Sequence, residues 1–99
     1  MITLKESALH VNPSGELTIY QVEEFSEKVK KLISSAEKLF VDLSQLDKID
    51  TAGFQLLVSL QKSCEASQKP FEINGIANSV HNFMLLFGFD WDAENKGAL

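Results

Sequence analysis

Arginine is missing from this 99-residue chain: its nine basic residues are all lysine, set against fourteen acidic ones for a net charge of −5. Binding a nucleic-acid backbone means neutralising its phosphates, and the bidentate grip on phosphate or guanine uses the guanidinium fork. Lys28, Lys30 and Lys31 lie among glutamates on what reads as a solvated helix face. Nucleic acid is therefore excluded as a partner, and an acidic chain of this size is expected to meet another protein. Cysteine occurs once, at Cys64, so no intramolecular disulfide can form. The stretch MITLKESALHV carries one lysine and no continuous apolar core, so it does not read as a secretory signal, and a cytoplasmic location is expected. No run of 18 apolar residues occurs, so no direct membrane insertion is expected. His10 and His81 are the only histidines and stand far apart. No Cys/His/Asp set has metal-ligand spacing, and neither a G-x-S-x-G elbow nor a phosphate-binding P-loop is present. The expectation is a protein without metal, cofactor or catalytic residues, and not an enzyme.

What the chain does contain is an ordinary globular composition, 44% hydrophobic and 23% charged, enough for one modest core. One domain is expected over 1–99, with 90–99 as a loose tail. Short strands are predicted at 2–4 and 8–11, and the cluster Asn12, Pro13, Ser14, Gly15 forces a turn. Residues 16–19 alternate polar and apolar, as a half-buried strand does. These three strands read as a small antiparallel or mixed set. Val22, Phe25, Val29, Leu32, Ile33 and Ala36 then recur at helical spacing, predicting a helix over 21–35. The run LFVDL at 39–43 predicts a strand buried on both faces. A second helix is predicted from Ala52 to Ala66, a strand at 71–73, and a last helix capped by Asn78 or Ser79 and stopped by Gly88. The fold class is thus α/β, a mixed sheet with parallel strands in the order β-β-β-α-β-α-β-α.

The most informative stretch is DLSQLDKIDTAGFQLL at 42–57, where a strand gives way to an acidic turn and then a helix. With Thr51 at zero on a wheel of about 100° per residue, Gly53, Leu56, Leu57, Leu60 and Cys64 fall between roughly 140° and 240°. That stripe faces inward. Thr51, Phe54, Gln55 and Val58 fall within roughly 60° of zero, on the other side. Two readings stay open on these residues. In one, Asp50 or Thr51 serves only as the helix cap, a role that contributes about 1 kcal/mol, with Gly53 there for close packing. Alternatively the Thr51 hydroxyl is a chemical target beside outward apolar groups, on a surface built for docking.

The segments LFVDLS at 39–44 and IDTAGFQLL at 49–57 resemble the STAS domain of bacterial anti-sigma factor antagonists. GELTIY at 15–20, NGI at 74–76, Val80 and the Phe87-Gly88-Phe89 ending extend the resemblance over nearly the whole chain. It implies a mixed sheet with helices packed on one side and no catalytic centre. It further implies that Thr51 is a phosphorylation site, with Asp50 and Gly53 supporting the turn, and that Phe54 contacts a partner together with Gln55 and Val58. The implied partner is a Ser/Thr kinase, an anti-sigma factor or another signalling protein, bound by the dephosphorylated form and released by the phosphorylated one. The Thr-Ala pair at 51–52, where many antagonists carry Ser-Ser or Ser-Thr, is closer to STAS proteins of chemotaxis and signalling clusters. A threonine here also resembles the small STAS subunit of the phospholipid-transport ABC complex, which implies an alternative: constitutive binding to the ATPase subunit.

Overall fold

The computed structural model of the chain describes residues 2–89. Trp91 and the tail expected over 90–99 lie outside them. The first two strands, β1 (Ile2–Lys5) and β2 (Ala8–Val11), form an antiparallel hairpin. Glu6 and Ser7 between them both have positive φ, 53° and 68°, the backbone twist that a two-residue hairpin turn requires. There follow β3 (Gly15–Leu17), α1 (Val22–Ile33), β4 (Lys38–Leu43), β5 (Leu46–Ile49), α2 (Thr51–Ala66), β6 (Phe71–Ile76) and α3 (Asn78–Leu85). The main sheet has the order β1-β2-β4-β6, with β2, β4 and β6 parallel. The mixed α/β class with parallel strands holds.

Three expectations about the strands need correction. β3 does not join the first hairpin; it pairs in parallel with β5 in a separate two-stranded sheet. Residues 46–49, expected to belong to the turn before the second helix, form that β5. Its pattern is Leu46 in, Asp47 and Lys48 out, Ile49 in, which lacks the strict alternation that marks a strand in sequence. The third correction concerns β4. Leu39, Val41 and Leu43 are buried, but Phe40 and Asp42 on the opposite face are only half-buried. Helices cover one face of the main sheet, where Leu9, Val11, Leu39, Val41 and Ile73 meet Val29, Leu57 and Leu60. On the open face the His10 ring lies 5.1 Å from that of Phe40, with the Lys38 ammonium 5.5 Å above it.

The helices obey local electrostatics. α1 has Glu23 and Glu24 in its first turn and Lys30 and Lys31 in its last, matching the helix dipole. Lys69 Nζ reaches across to donate to the Ile33 carbonyl at 2.7 Å, satisfying one of the free acceptors where α1 ends. Neither Asn78 nor Ser79 caps α3: its N-cap is Ala77, without a side-chain bond. Ser79 Oγ instead donates to the Asp47 carbonyl at 3.2 Å, tying α3 to β5. After α3, Gly88 adopts φ +76°, which turns the chain so that the Phe89 N–H donates back to the Met84 carbonyl. This return carries Phe87 and Phe89 over the start of α2.

Candidate functional site

Asp50 is the N-cap of α2, and its two carboxylate oxygens do different work. Oδ1 accepts the Gly53 N–H at 2.9 Å, and the Asp50 carbonyl accepts the Phe54 N–H, closing the first helical turn. Oδ2 accepts the Ile19 N–H, also at 2.9 Å, from the turn between β3 and α1. The Gly53 N–H first, then the Ile19 N–H, hold the Asp50 carboxyl below the ordinary aspartate range. A lowered folded value means that the charge favours folding above the unfolded value of about 3.9 and stops doing so as pH falls through the folded one. In Asp50→Asn the amide can still cap through its oxygen, but its NH₂ cannot accept from Ile19. The melting temperature of this variant should therefore lie below that of the parent at neutral pH. The gap should close in acid, below about pH 4, as a series of thermal melts will show.

Thr51 is the first residue of α2 and is exposed. Of the two residues that could cap the helix, Asp50 does so, and Thr51 stands exposed beside it. Gly53, two residues on, is buried against the backbone carbonyl of Leu17. Gln55 is exposed and Val58 half-buried, on the same outward flank as Thr51.

Phe54 is not on that flank. It is 2% exposed, stacked on Phe87 at a ring-centroid distance of 5.3 Å and edge-on to Phe89 at 5.1 Å and Phe83 at 6.3 Å. The wheel set the inward stripe by the sheet alone. α3 and its return add a second wall, so the buried arc of α2 runs from Leu60 through Leu57 to Phe54, roughly 180° to 300°. Leu56, placed in the stripe, is only half-buried beside α1. Phe54 thus lacks the exposed face needed to touch a partner.

Sequence reasoning missed Ile19 and Tyr20, which are 60% and 88% exposed. The polar-apolar alternation over 16–19 puts Ile19 on the buried face of a strand. The strand stops at Leu17 because Thr18 folds into a turn: its N–H and Oγ1 both donate to Gln21 Oε1, at 2.9 and 2.6 Å. A threonine followed three residues later by glutamine, directly before a helical pattern, is a capping-box signature that could have flagged this. Among the described residues no three His, Cys, Asp or Glu side chains are grouped to hold a metal ion, and no helix is long and apolar enough to cross a membrane. Cys64 is buried in the core, and burial pushes its thiol up.

A family model described as "Mlab, STAS domain" matches residues 1–91. The chain belongs to the STAS-domain family. Among solved structures this STAS domain is similar to a Ser-to-Glu variant of RsbS from Moorella thermoacetica, with a TM-score of 0.76 and 23% identity over 91% of this chain and 78% of that one. It is similar to the anti-sigma factor antagonist SpoIIAA in its unphosphorylated form, with a TM-score of 0.66 and 17% identity over 74% of this chain and 69% of that one. It is also similar to a sulfate transporter family protein from Wolinella succinogenes, with a TM-score of 0.69 and 15% identity over 88% of this chain and 71% of that one. At these identities the likeness is one of fold.

Proposed function

We propose that this chain, one STAS domain over 1–99, is a cytoplasmic, non-catalytic regulator that binds a protein partner through the face around the start of α2 and is switched by phosphorylation of Thr51. The reading is carried by the exposed hydroxyl at the first position of a capped helix. A phosphate there adds about −1.5 to −2 of charge next to the Asp50 carboxylate, and the dipole of the helix N-terminus, with no acidic residue in the first turn itself, offsets that repulsion so that the helix stays folded. A partner surface fitted to a neutral hydroxyl instead meets a hydrated dianion. Burying such an unmatched charge costs several kcal/mol, enough to abolish a micromolar contact. Gln55 and Val58 remain contact residues in this reading; Phe54 does not. The partner class is a Ser/Thr kinase acting as anti-sigma factor, or a related signalling protein.

The test uses a purified candidate kinase of the GHKL type with ATP. Intact-mass analysis should show about 80 Da added, located at Thr51 by fragmentation. Thr51→Glu should weaken kinase binding about 100-fold with an unchanged melting temperature, whereas Thr51→Ala should bind as the parent does. Equal binding by both variants would mean that charge at this position does not matter.

A second reading is favoured by the Mlab description of the matched family model and by the shared fold of a sulfate transporter family protein. In it the chain is a constitutive STAS subunit of a phospholipid-transport ABC complex, holding the ATPase subunit with the same face and without phosphorylation. Absence of labelling together with a stoichiometric complex with the purified ATPase selects it.

A further inference from the structure

We propose that Ile19 and Tyr20 are the anchor by which this face holds its protein partner, entering an apolar pocket on that partner, and that Asp50 is the residue that positions them. The inference rests on the reading that the face around Thr51 binds a protein, and it names which residues carry the affinity. Ile19 and Tyr20 are 60% and 88% exposed at the apex of the turn between β3 and α1. Nothing in the fold calls for a large apolar side chain at either place.

The turn beneath them is unusually well tied. Thr18, itself buried, is bonded to Gln21 Oε1 through N–H and hydroxyl, and its carbonyl accepts from the Gln21 and Val22 N–H groups at 2.9 and 3.1 Å. The Ile19 N–H is held by Asp50 from the other side. Exposed apolar side chains on a fixed backbone lose little freedom on binding, and tyrosine is among the residues that dominate interface energies. In the other exposed apolar cluster, Leu85, Leu86 and Phe87, the Phe87 ring already stacks on Phe54.

Charge decides the kind of occupant. The strands and helix start around the turn carry Glu16, Glu23, Glu24, Asp47 and Asp50 against Lys48 alone. Lys48 is the cross-strand partner of Glu16, and Glu24 pairs with Lys28 at 2.9 Å, which leaves Glu23, Asp47 and Asp50 unopposed by a basic residue of these segments. Anionic lipid and nucleic acid are repelled by such a rim. A protein surface with an apolar pocket and basic edge fits it. Rim charges then set the encounter rate, while the anchor sets dissociation.

Asp50 lies at the junction of this anchor and the Thr51 helix. With Asp50→Asn the oxygen retains the Gly53 bond while the amide meets the Ile19 N–H donor to donor, so the apex loses its tether but the helix keeps its cap.

The experiment measures binding kinetics of the full chain to the purified kinase and to the purified ABC ATPase. Tyr20→Ala should bind whichever protein the parent binds about 30-fold more weakly, mostly through faster dissociation, and Ile19→Ala about 10-fold. Both should melt with the parent. Asp50→Asn should cost about 10-fold in the parent and almost nothing further in a variant that already carries both Ile19→Ala and Tyr20→Ala, because it acts through the anchor. If Tyr20→Ala binds within about twofold of the parent while Thr51→Glu is released, the anchor is wrong and the Thr51 face stands. A further loss when Asp50→Asn is added to the variant carrying both Ile19→Ala and Tyr20→Ala overturns the positioning role. If the parent binds neither protein, the docking reading falls and the anchor falls with it.

Discussion

Gly53→Ala should lower the melting temperature by about 15 °C, a loss of about 3 kcal/mol for a domain of this size. Alanine in a helix interior ordinarily gains about 1 kcal/mol over glycine, so propensity alone predicts the opposite sign. Here the added Cβ would run into the backbone carbonyl of Leu17 and lie 3.0 Å from Ile49 Cγ1. Leu17 and Ile49 are register partners in the β3–β5 pair. The carbonyl is fixed by the strand, so it cannot swing aside as a side-chain tip would. Relief requires α2 to lift from the small sheet, a movement that would strain the Asp50 bond to Ile19. Thermal denaturation followed by circular dichroism checks the figure. A drop below about 3 °C would mean that helix and strand are not in close contact here.

That junction also explains what could be read from sequence and what could not. The spacing of Val22, Phe25, Val29, Leu32 and Ile33 marks α1 to within a few residues of Val22–Ile33, because one long amphipathic face meets one sheet. α2 is similarly close, at Thr51–Ala66 against the expected start at Ala52. The strand-to-helix turn was legible because capping chemistry is local: Asp50 and Gly53 are three positions apart, and the cap bond between them is made within that turn. β5 was not legible, because its partner β3 lies some thirty residues earlier and a four-residue strand carries too little pattern of its own. Phe54 failed for a related reason. A wheel assumes one buried direction, and the second wall comes from Phe83, Phe87 and Phe89, far along the chain. Ile19 was assigned inward on alternation alone, which a turn at Thr18 interrupts. Local chemistry was readable; burial imposed by distant elements was not.

Phe54→Ala should cost about 4 kcal/mol and lower the melting temperature by about 20 °C, the largest change expected from a single side chain on α2. The ring is 2% exposed and touches three other aromatic rings, so truncation removes both its burial and its ring contacts and leaves a cavity that the fixed start of α2 cannot close. Phe54→Leu keeps most of the volume and should cost about 1.5 kcal/mol. Partner binding by the folded fraction provides the second measurement. A contact residue loses affinity on truncation with little change in melting; a core residue loses stability first. The intermediate Leu variant separates the two, since it stays folded and differs from the parent mainly inside the aromatic cluster. If Phe54→Leu melts like the parent yet releases the partner, then the ring reaches the surface when the partner arrives, and the return after α3 must move to let it out.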